Sequence, residues 1–177
     1  MYTESVVEEY LRAYKEVNGV KYVGVAQTTK KNSEGHYETI VLAGNDYIIN
    51  ARLIGKGKEN LGVCAIKMVD GELTAQGVQV AEEYKGRGIG TAIMGMANEI
   101  ARANNMDEVA VRSLPSALPF YINLGFKLDT TESNNQGIFC LCKEITPEPL
   151  ISKFETTDSS QVRYESKAGK LSTNLVQ

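Results

Sequence analysis

The sequence is poor in the residues that build metal centres, disulfide frameworks and membrane spans. Its 177 residues include three cysteines, one histidine and no tryptophan. A single histidine leaves no partner for a zinc cluster, so no metal is predicted. Three cysteines cannot all pair within one chain, and we expect reduced thiols in a cytoplasmic protein. No apolar run approaches the roughly 20 residues that cross a membrane, and the first residues lack the apolar stretch of a secretory signal.

Neither sign of charge dominates the chain. The formal net charge is −3 and the isoelectric point is about 5.3. This acidic balance disfavours a nucleic-acid partner, which would require a basic face. The length suits one domain with a sizeable core. We therefore expect a single domain over residues 1–145, a polar and flexible tail over 146–177, and no membrane partner, while a homodimer is left open.

The apolar pattern predicts one helix followed by several strands. Apolar residues recur at three- and four-residue steps from Val6 to Val17, which is typical of an amphipathic helix. Five later segments are rich in β-branched and aromatic residues and predict strands: "KYVGVAQTT", "HYETIVLAG", "YIINARLIG", "LGVCAIKMV" and "ELTAQGVQV". Only Asp70-Gly71 separates the last two, which is a strong hairpin signal.

The second half of the chain alternates helices with strands. A glycine-rich turn precedes an apolar helix over Gly88–Ala103, and "DEVAVRS" predicts a strand after it. A short helix in "SALPFYINLG" and a last strand in "GIFCLCKEI" follow. This order predicts an α+β fold with a mixed, mostly antiparallel central sheet flanked by helices, and one strand–glycine loop–helix unit within it.

The glycine turn "KGRGIGT" raises three possibilities for a bound ligand. A Walker phosphate loop requires lysine and then serine or threonine after its last glycine, but Thr91 and Ala92 follow Gly90. A dinucleotide loop has differently spaced glycines within an early βαβ unit, which this chain lacks. A simple anion cradle fits better, because glycines before a helix let several N–H groups approach one anion. Lys85 and Arg87 would add positive charge, although a turn without any ligand would show the same pattern.

Two segments together resemble one family. "VQVAEEYKGRGIGTAIM" followed by "SALPFYINLGFK" is similar to the GCN5-related N-acetyltransferase (GNAT) superfamily, with both signatures at the correct distance. The second signature, an alanine followed by a tyrosine and then Gly-Phe, falls on Ala117, Tyr121, Gly125 and Phe126. The resemblance covers about Glu72 to Lys127.

The resemblance implies a site for acyl-CoA, with acetyl-CoA as the co-substrate. The CoA pyrophosphate would lie on the loop N–H groups, the pantetheine arm would pair with the strand before the loop, and the Val80 N–H would polarise the thioester carbonyl. Leu114 stands where the family commonly has an asparagine, so Ser113 or Ser116 is expected to serve instead. The implied binding residues are Val78, Gln79, Val80, Lys85, Gly86, Arg87, Gly88, Ile89, Gly90, Thr91, Ser113, Ser116 and Tyr121.

The same resemblance implies catalytic roles for two residues. Tyr121 would protonate the departing CoA thiolate, since a phenol with a pKa of ~10 stays protonated at neutral pH. Family members often carry a catalytic glutamate on the strand before the loop, where this chain has Thr74. Glu72, one pleat away on the same face, is the candidate general base, although a solvated residue after a tight turn is the alternative interpretation. No cysteine has a nucleophile's surroundings, which favours direct attack over an acyl-enzyme.

The sequence indicates least about the acceptor of the acetyl group. We expect an N-acetyltransferase that acts on a primary amine. A protein acetyltransferase and an aminoacyl-tRNA acetyltransferase are alternatives, and the acidic balance disfavours the second. A non-catalytic acyl-CoA sensor is an alternative from a different class, because no clear general base is visible in the sequence.

Overall fold

The computed structural model describes residues 2–130, 137–146, 148 and 150–157, together with the backbone of 163–164 and 171–172. The three helices are α1 (Glu4–Lys15), α2 (Ile89–Ala103) and α3 (Leu118–Asn123). The strands are β1 (Tyr22–Lys31), β2 (Tyr37–Gly44), β3 (Ile48–Leu53), β4 (Gly62–Val69), β5 (Glu72–Val80), β6 (Glu108–Ser113), β7 (Lys127–Leu128), β8 (Phe139–Glu144), β9 (Lys153–Thr156), β10 (Arg163–Tyr164) and β11 (Leu171–Ser172). Short 3₁₀ turns occupy Glu82–Tyr84 and Pro115–Ala117.

Nine strands form one mixed sheet in the order β7-β8-β6-β5-β4-β3-β2-β1-β9, and β10 pairs with β11 apart from it. The β5–β6 pair is parallel, while the other pairs of this sheet are antiparallel. The predicted α+β class with a mostly antiparallel sheet is therefore confirmed. The predicted hairpin at Asp70-Gly71 joins β4 to β5, and both residues adopt the positive φ angles that such a turn requires.

The two faces of the sheet carry different helices. α2 is buried almost all round, because its small and aliphatic residues pack flat on the sheet, and Met96, Ile93 and Ile100 are fully buried there. α1 covers a smaller apolar cluster on the other face, around Leu11 and Val23. Within the described residues, no helix has both the length and the apolar character needed to cross a membrane.

Part of the segment predicted as a flexible tail belongs to the sheet. Strand β9 pairs with β1 over four residues, with Tyr22 opposite Thr156, and the Phe154 ring stacks on the Tyr22 ring at 6.0 Å between centroids. The predicted boundary after residue 145 is therefore wrong for residues 150–157. The rest of the predicted tail lies outside the described residues, apart from the backbone of β10 and β11.

Just before β9 the chain packs against two glycines, Gly95 of α2 and Gly24 of β1. Buried Ile151 fills the space above them: a Cβ atom at Gly24 would lie 2.5 Å from the Ile151 Cδ1 atom, and one at Gly95 would lie 3.0 Å from its Cγ2 atom. The Leu150 N–H donates to the buried carboxylate of Glu99, at 3.1 Å. The C-terminal segment is thus held both by the helix and by the sheet edge.

Candidate functional site

The centre of the sheet opens where β5 leaves β6. β5 pairs with β4 along its whole length, but its ladder with β6 ends at Gln76. The register of the β4–β5 pair shifts at Gly77, which has a φ of 74° and is the extra residue of a β-bulge. Past this bulge, Val78 to Val80 keep a strand partner on one side only.

The unpaired side of this segment presents backbone donors. Alternate residues of a strand point their N–H groups in the same direction. The Ala81 N–H points toward β4 and donates to the Leu61 carbonyl at 2.9 Å, so the N–H groups of Val78 and Val80 face the opposite, open side. The Val78 backbone hydrogen-bonds the Tyr121 hydroxyl there. A ligand lying along this side could hydrogen-bond to the backbone of β5 as a neighbouring strand would.

The glycine loop forms the other end of the opening. Gly88 has a φ of 92° and precedes α2 with no side-chain cap, so the first N–H groups of the helix lack a capping side chain. A Cβ atom at Gly88 would lie 2.7 Å from Thr29 Oγ1, and one at Gly90 would lie 3.2 Å from the Phe120 ring. A side chain is therefore excluded at Gly88, and at Gly90 it would require Phe120 to shift. The loop therefore places N–H groups without an intrahelical partner at the positive end of the helix dipole, and both features favour a bound anion.

One cavity of about 520 Å³ joins the loop to the open strand. Ten of the predicted binding residues line it: Val78, Val80, Lys85, Gly86, Gly88, Ile89, Gly90, Thr91, Ser116 and Tyr121. Three others do not line it: Gln79, Arg87 and Ser113. The Gln79 side chain is exposed, and the Ser113 hydroxyl donates to the neighbouring Leu114 carbonyl at 2.8 Å. The structure thus brings the loop, the strand and Tyr121 together at one site.

The two cations predicted to add charge are both engaged elsewhere. The Arg87 guanidinium pairs with the Glu38 carboxylate at 3.0 Å and lies over the Tyr84 ring, 4.9 Å from its centroid. It lines a neighbouring polar cavity of about 450 Å³. Lys85 pairs with Glu82. In this structure the Arg87 side chain is directed to Glu38 and does not line the cavity, although its backbone remains in the loop.

Tyr121 is the titratable group at the centre of the cavity wall. Its side chain is 3% exposed and meets the Phe120 and Phe126 rings edge to face. Burial raises the pKa of the phenol, nearby Cys64 raises it further, and the hydrogen bond with the Val78 backbone lowers it. Because the balance lies above the ordinary value of 10.0, the hydroxyl keeps its proton at neutral pH and can act as an acid.

Cys64 is close to Tyr121 but is not a nucleophile. The residue is fully buried in β4, and burial raises the pKa of its thiol to about 12. Its sulfur donates to the Ala65 carbonyl at 3.3 Å. The reactive form of cysteine is the thiolate, which is scarce at such a pKa. The expectation that the chain lacks a cysteine nucleophile fits this environment.

Glu72, the predicted general base, lies at the wrong end of β5. It begins the strand, accepts a hydrogen bond from the Thr74 hydroxyl at 2.9 Å, and pairs in register with Glu108 of β6. Six residues of extended chain separate it from Val78, or about 20 Å. It does not line the cavity, so the structure does not bring it to the site. His36, the single histidine, is exposed and lies outside the cavity as well.

Sequence reasoning did not assign Thr29, Tyr84 and Phe120 to the site, although all three line the cavity. Phe120 had a weak signal as the neighbour of Tyr121. Thr29 had none, because it comes from β1, far from the loop in sequence. Among the described residues, no group of acidic, histidine and cysteine side chains is arranged to hold a metal ion.

Comparison with protein-family models matches residues 7–141 to the acetyltransferase (GNAT) domain. No curated protein matches the sequence. The fold is similar to that of the PaiA N-acetyltransferase from Thermoplasma acidophilum in complex with coenzyme A, at 18% identity and a TM-score of 0.48, over 55% of this chain and 59% of that one. The chain therefore spans less than two thirds of that relative.

Two further solved structures give similar values. The IAA acetyltransferase from Bacillus cereus matches at 20% identity and a TM-score of 0.46, over 58% of this chain and 77% of that one. Ard1 from Thermoplasma volcanium matches at 16% identity and a TM-score of 0.47, over 56% and 71%.

Proposed function

Because the chain belongs to the GNAT acetyltransferase family, we propose that it transfers the acetyl group of acetyl-CoA to a primary amine by direct attack. One observation carries the proposal. The glycine loop, the unpaired edge of β5 and the buried Tyr121 hydroxyl line a single cavity. An anion cradle, a strand edge and an acid are the features required to bind and cleave an acyl thioester of CoA.

The binding role follows from the backbone. The N–H groups at the start of α2 would bind the CoA pyrophosphate, and the absence of side chains at Gly88 and Gly90 lets the phosphates approach closely. The open side of Val78 to Val80 would pair with the amide groups of the pantetheine arm, which takes the place of the missing β6 ladder. The two interactions fix the thioester near Tyr121.

The chemical role falls to Val80 and Tyr121. The amine nitrogen attacks the thioester carbonyl carbon, a C–N bond forms, and the C–S bond breaks. The Val80 N–H faces the open side of β5 and would donate to the developing oxyanion. The Val78 backbone is already hydrogen-bonded to the Tyr121 hydroxyl. Tyr121 donates its proton to the CoA sulfur, and the proton lost by the amine restores the phenol through water.

A second function, an acyl-CoA sensor that does not catalyse, is favoured by one observation. The described residues that line the cavity include no aspartate, glutamate or histidine. With no base near the reacting atoms, only amines already deprotonated in solution would react. The two functions differ in turnover and not in binding.

The test measures both properties. Wild-type protein is first titrated with acetyl-CoA, and the melting temperature is recorded; ligand at a hundredfold over its Kd should add about 2.7 kcal/mol of stability. Release of free thiol is then followed with small amines, amino acids, lysine-containing peptides and peptides with a free N-terminus. Thiol release that depends on an amine supports the transferase. Binding of acetyl-CoA without turnover on any amine supports the sensor. Absence of acetyl-CoA binding would contradict both functions.

A further inference from the structure

The end of β1 is fixed against the glycine loop. The Thr29 N–H donates to the Arg87 carbonyl at 2.8 Å, and the Thr29 side chain occupies the space where a Cβ atom at Gly88 would lie. The β1–β2 register shifts between Gln27 and Lys31, and the Thr28 hydroxyl holds this irregular segment: it accepts from the Glu38 N–H at 2.9 Å and donates to the Lys30 carbonyl at 3.0 Å. The segment therefore has a defined position beside the loop.

This position brings the exposed Lys30 ammonium beside Gly86 of the glycine loop, next to the residues that line the cavity but not among them. Its Nζ atom lies 3.5 Å from the point where a Cβ atom at Gly86 would be. In the part of the chain that the structure describes, the Lys30 ammonium has no ion-pair or hydrogen-bond partner. The neighbouring cations differ: Lys85 and Arg87 are paired with carboxylates, and Lys31 lies over the Tyr37 ring at 5.6 Å.

We propose that Lys30 is the side chain that neutralises the pyrophosphate of the bound acyl-CoA, and that Arg87 is a structural residue of the loop. The inference rests on the proposed function and adds a binding residue from outside the family's signatures. The α2 N-terminus offers backbone donors, and Lys30 adds a positive charge beside Gly86. An ammonium suits this task, because it acts as a mobile point charge and requires no fixed geometry.

The proposal also explains the arrangement of Arg87. Its guanidinium already has a carboxylate and an aromatic ring as partners, so turning toward a phosphate would break both contacts. Lys30 has no such contact to lose, because its ammonium is unpaired among the described residues. Arg87 and Lys30 therefore have different roles beside the loop: Arg87 holds its contacts with Glu38 and Tyr84, and Lys30 carries charge.

The test compares Lys30→Gln with Lys31→Gln, which removes the same charge from the next residue. Calorimetric titration with CoA should show about three- to fivefold weaker binding by Lys30→Gln, the upper part of the range for one exposed ion pair. Lys31→Gln should stay within about twofold. Raising the salt concentration should reduce the difference in the Kd for CoA between wild type and Lys30→Gln, because salt screens the interaction between exposed charges. The melting temperatures of the unliganded proteins should agree.

The same titrations with dephospho-CoA assign the phosphate. A Lys30→Gln defect that persists with dephospho-CoA supports contact with the pyrophosphate, whereas a defect that disappears overturns that assignment in favour of the 3′-phosphate. Equal losses in the two lysine variants, or normal binding by Lys30→Gln, overturn the inference while the proposed function stands. Failure of the wild-type protein to bind CoA overturns both.

Discussion

The two ends of β5 belong to one strand but have opposite surroundings. From Glu72 to Gln76 the strand has a ladder on each side, with β4 and with β6. From Val78 to Val80 it has only β4. A single residue in the bulge, Gly77, separates the two halves. The difference shows that the candidate site is created where sheet pairing is interrupted.

The two ends of β5 also differ in the titratable side chains that surround them. Glu72 and Glu108 lie opposite each other on paired strands at the first end. Burial raises the pKa of Glu108, and the carboxylates of Glu72 and Asp129 raise it further. At the second end the titratable group is Tyr121, buried among aromatic rings. Only the second end combines a strand edge without a ladder partner with a buried titratable group, so we place the chemistry there.

Tyr121→Phe should give the largest effect on turnover. The substitution keeps the ring packing and removes the proton donor, and general acid catalysis typically contributes about 10²–10⁴-fold. Turnover should fall by that factor while the Kd for acetyl-CoA changes little, a pattern expected for an interaction made in the transition state. Single-turnover rates should fall as well. A loss of only a few-fold in both assays would make Tyr121 a packing residue.

Gly88→Glu should give the largest effect on binding. It places a carboxylate where the pyrophosphate must lie and a side chain against Thr29. We expect the Kd for CoA to rise on the order of a hundredfold or more, because like charges repel at close range. Gly19→Glu is the control, since Gly19 also has a positive φ but open space around it. Similar CoA binding by the two variants would locate the cradle elsewhere.

Gly77→Ala and Gly71→Ala compare the two ends of β5 directly. Both glycines have positive φ angles, 74° and 82°, and no atom lies within 4 Å of the position that a Cβ atom would take at either one. Each substitution should cost about 1–2 kcal/mol of folding stability, measured by urea unfolding. Only Gly77→Ala should also weaken acetyl-CoA binding, because only Gly77 shapes the bulge. Equal binding by both variants would contradict a role for the bulge.

Glu72→Gln should give the smallest effect. Turnover should stay within about twofold of wild type, because the carboxylate is remote from the cavity. The unfolding free energy of the wild-type protein should also change slightly with pH. Since the Glu108 pKa is raised above 4.5 in the fold, its contribution is full below that value and is lost as pH rises through the folded pKa. Removing the Glu72 charge should flatten this dependence. A large loss of turnover would restore Glu72 as the general base.

The sequence predicted the cofactor side of the fold well because its signals are local. Asp70-Gly71 predicted the hairpin, the alternating glycines predicted the loop, and the spacing from Ala117 to Phe126 placed Tyr121 in the site. Backbone conformation at each of these points depends on neighbours in the chain. The structure confirms the elements they predicted.

The features that the sequence did not predict depend on contacts between distant residues. Nothing around Arg87 indicates that Glu38 will take its side chain, and nothing around Lys30 indicates that β1 ends beside the loop. Strand β9 has only four residues, too few for a periodic signal, and forms because the edge of β1 is available to it. In each case tertiary packing decides the outcome.

The pairing of β9 with β1 has a consequence for the order of folding. Strand β1 meets its outer neighbour β9 only when residue 156 has been made, long after its own residues 22–31. Until then the edge of β1 offers unpaired N–H and C=O groups, which are a template for pairing with other chains. Contacts of such long sequence separation also form slowly. We therefore expect a chain truncated before residue 150 to aggregate more readily than the chain that carries β9, because β9 covers the edge of β1.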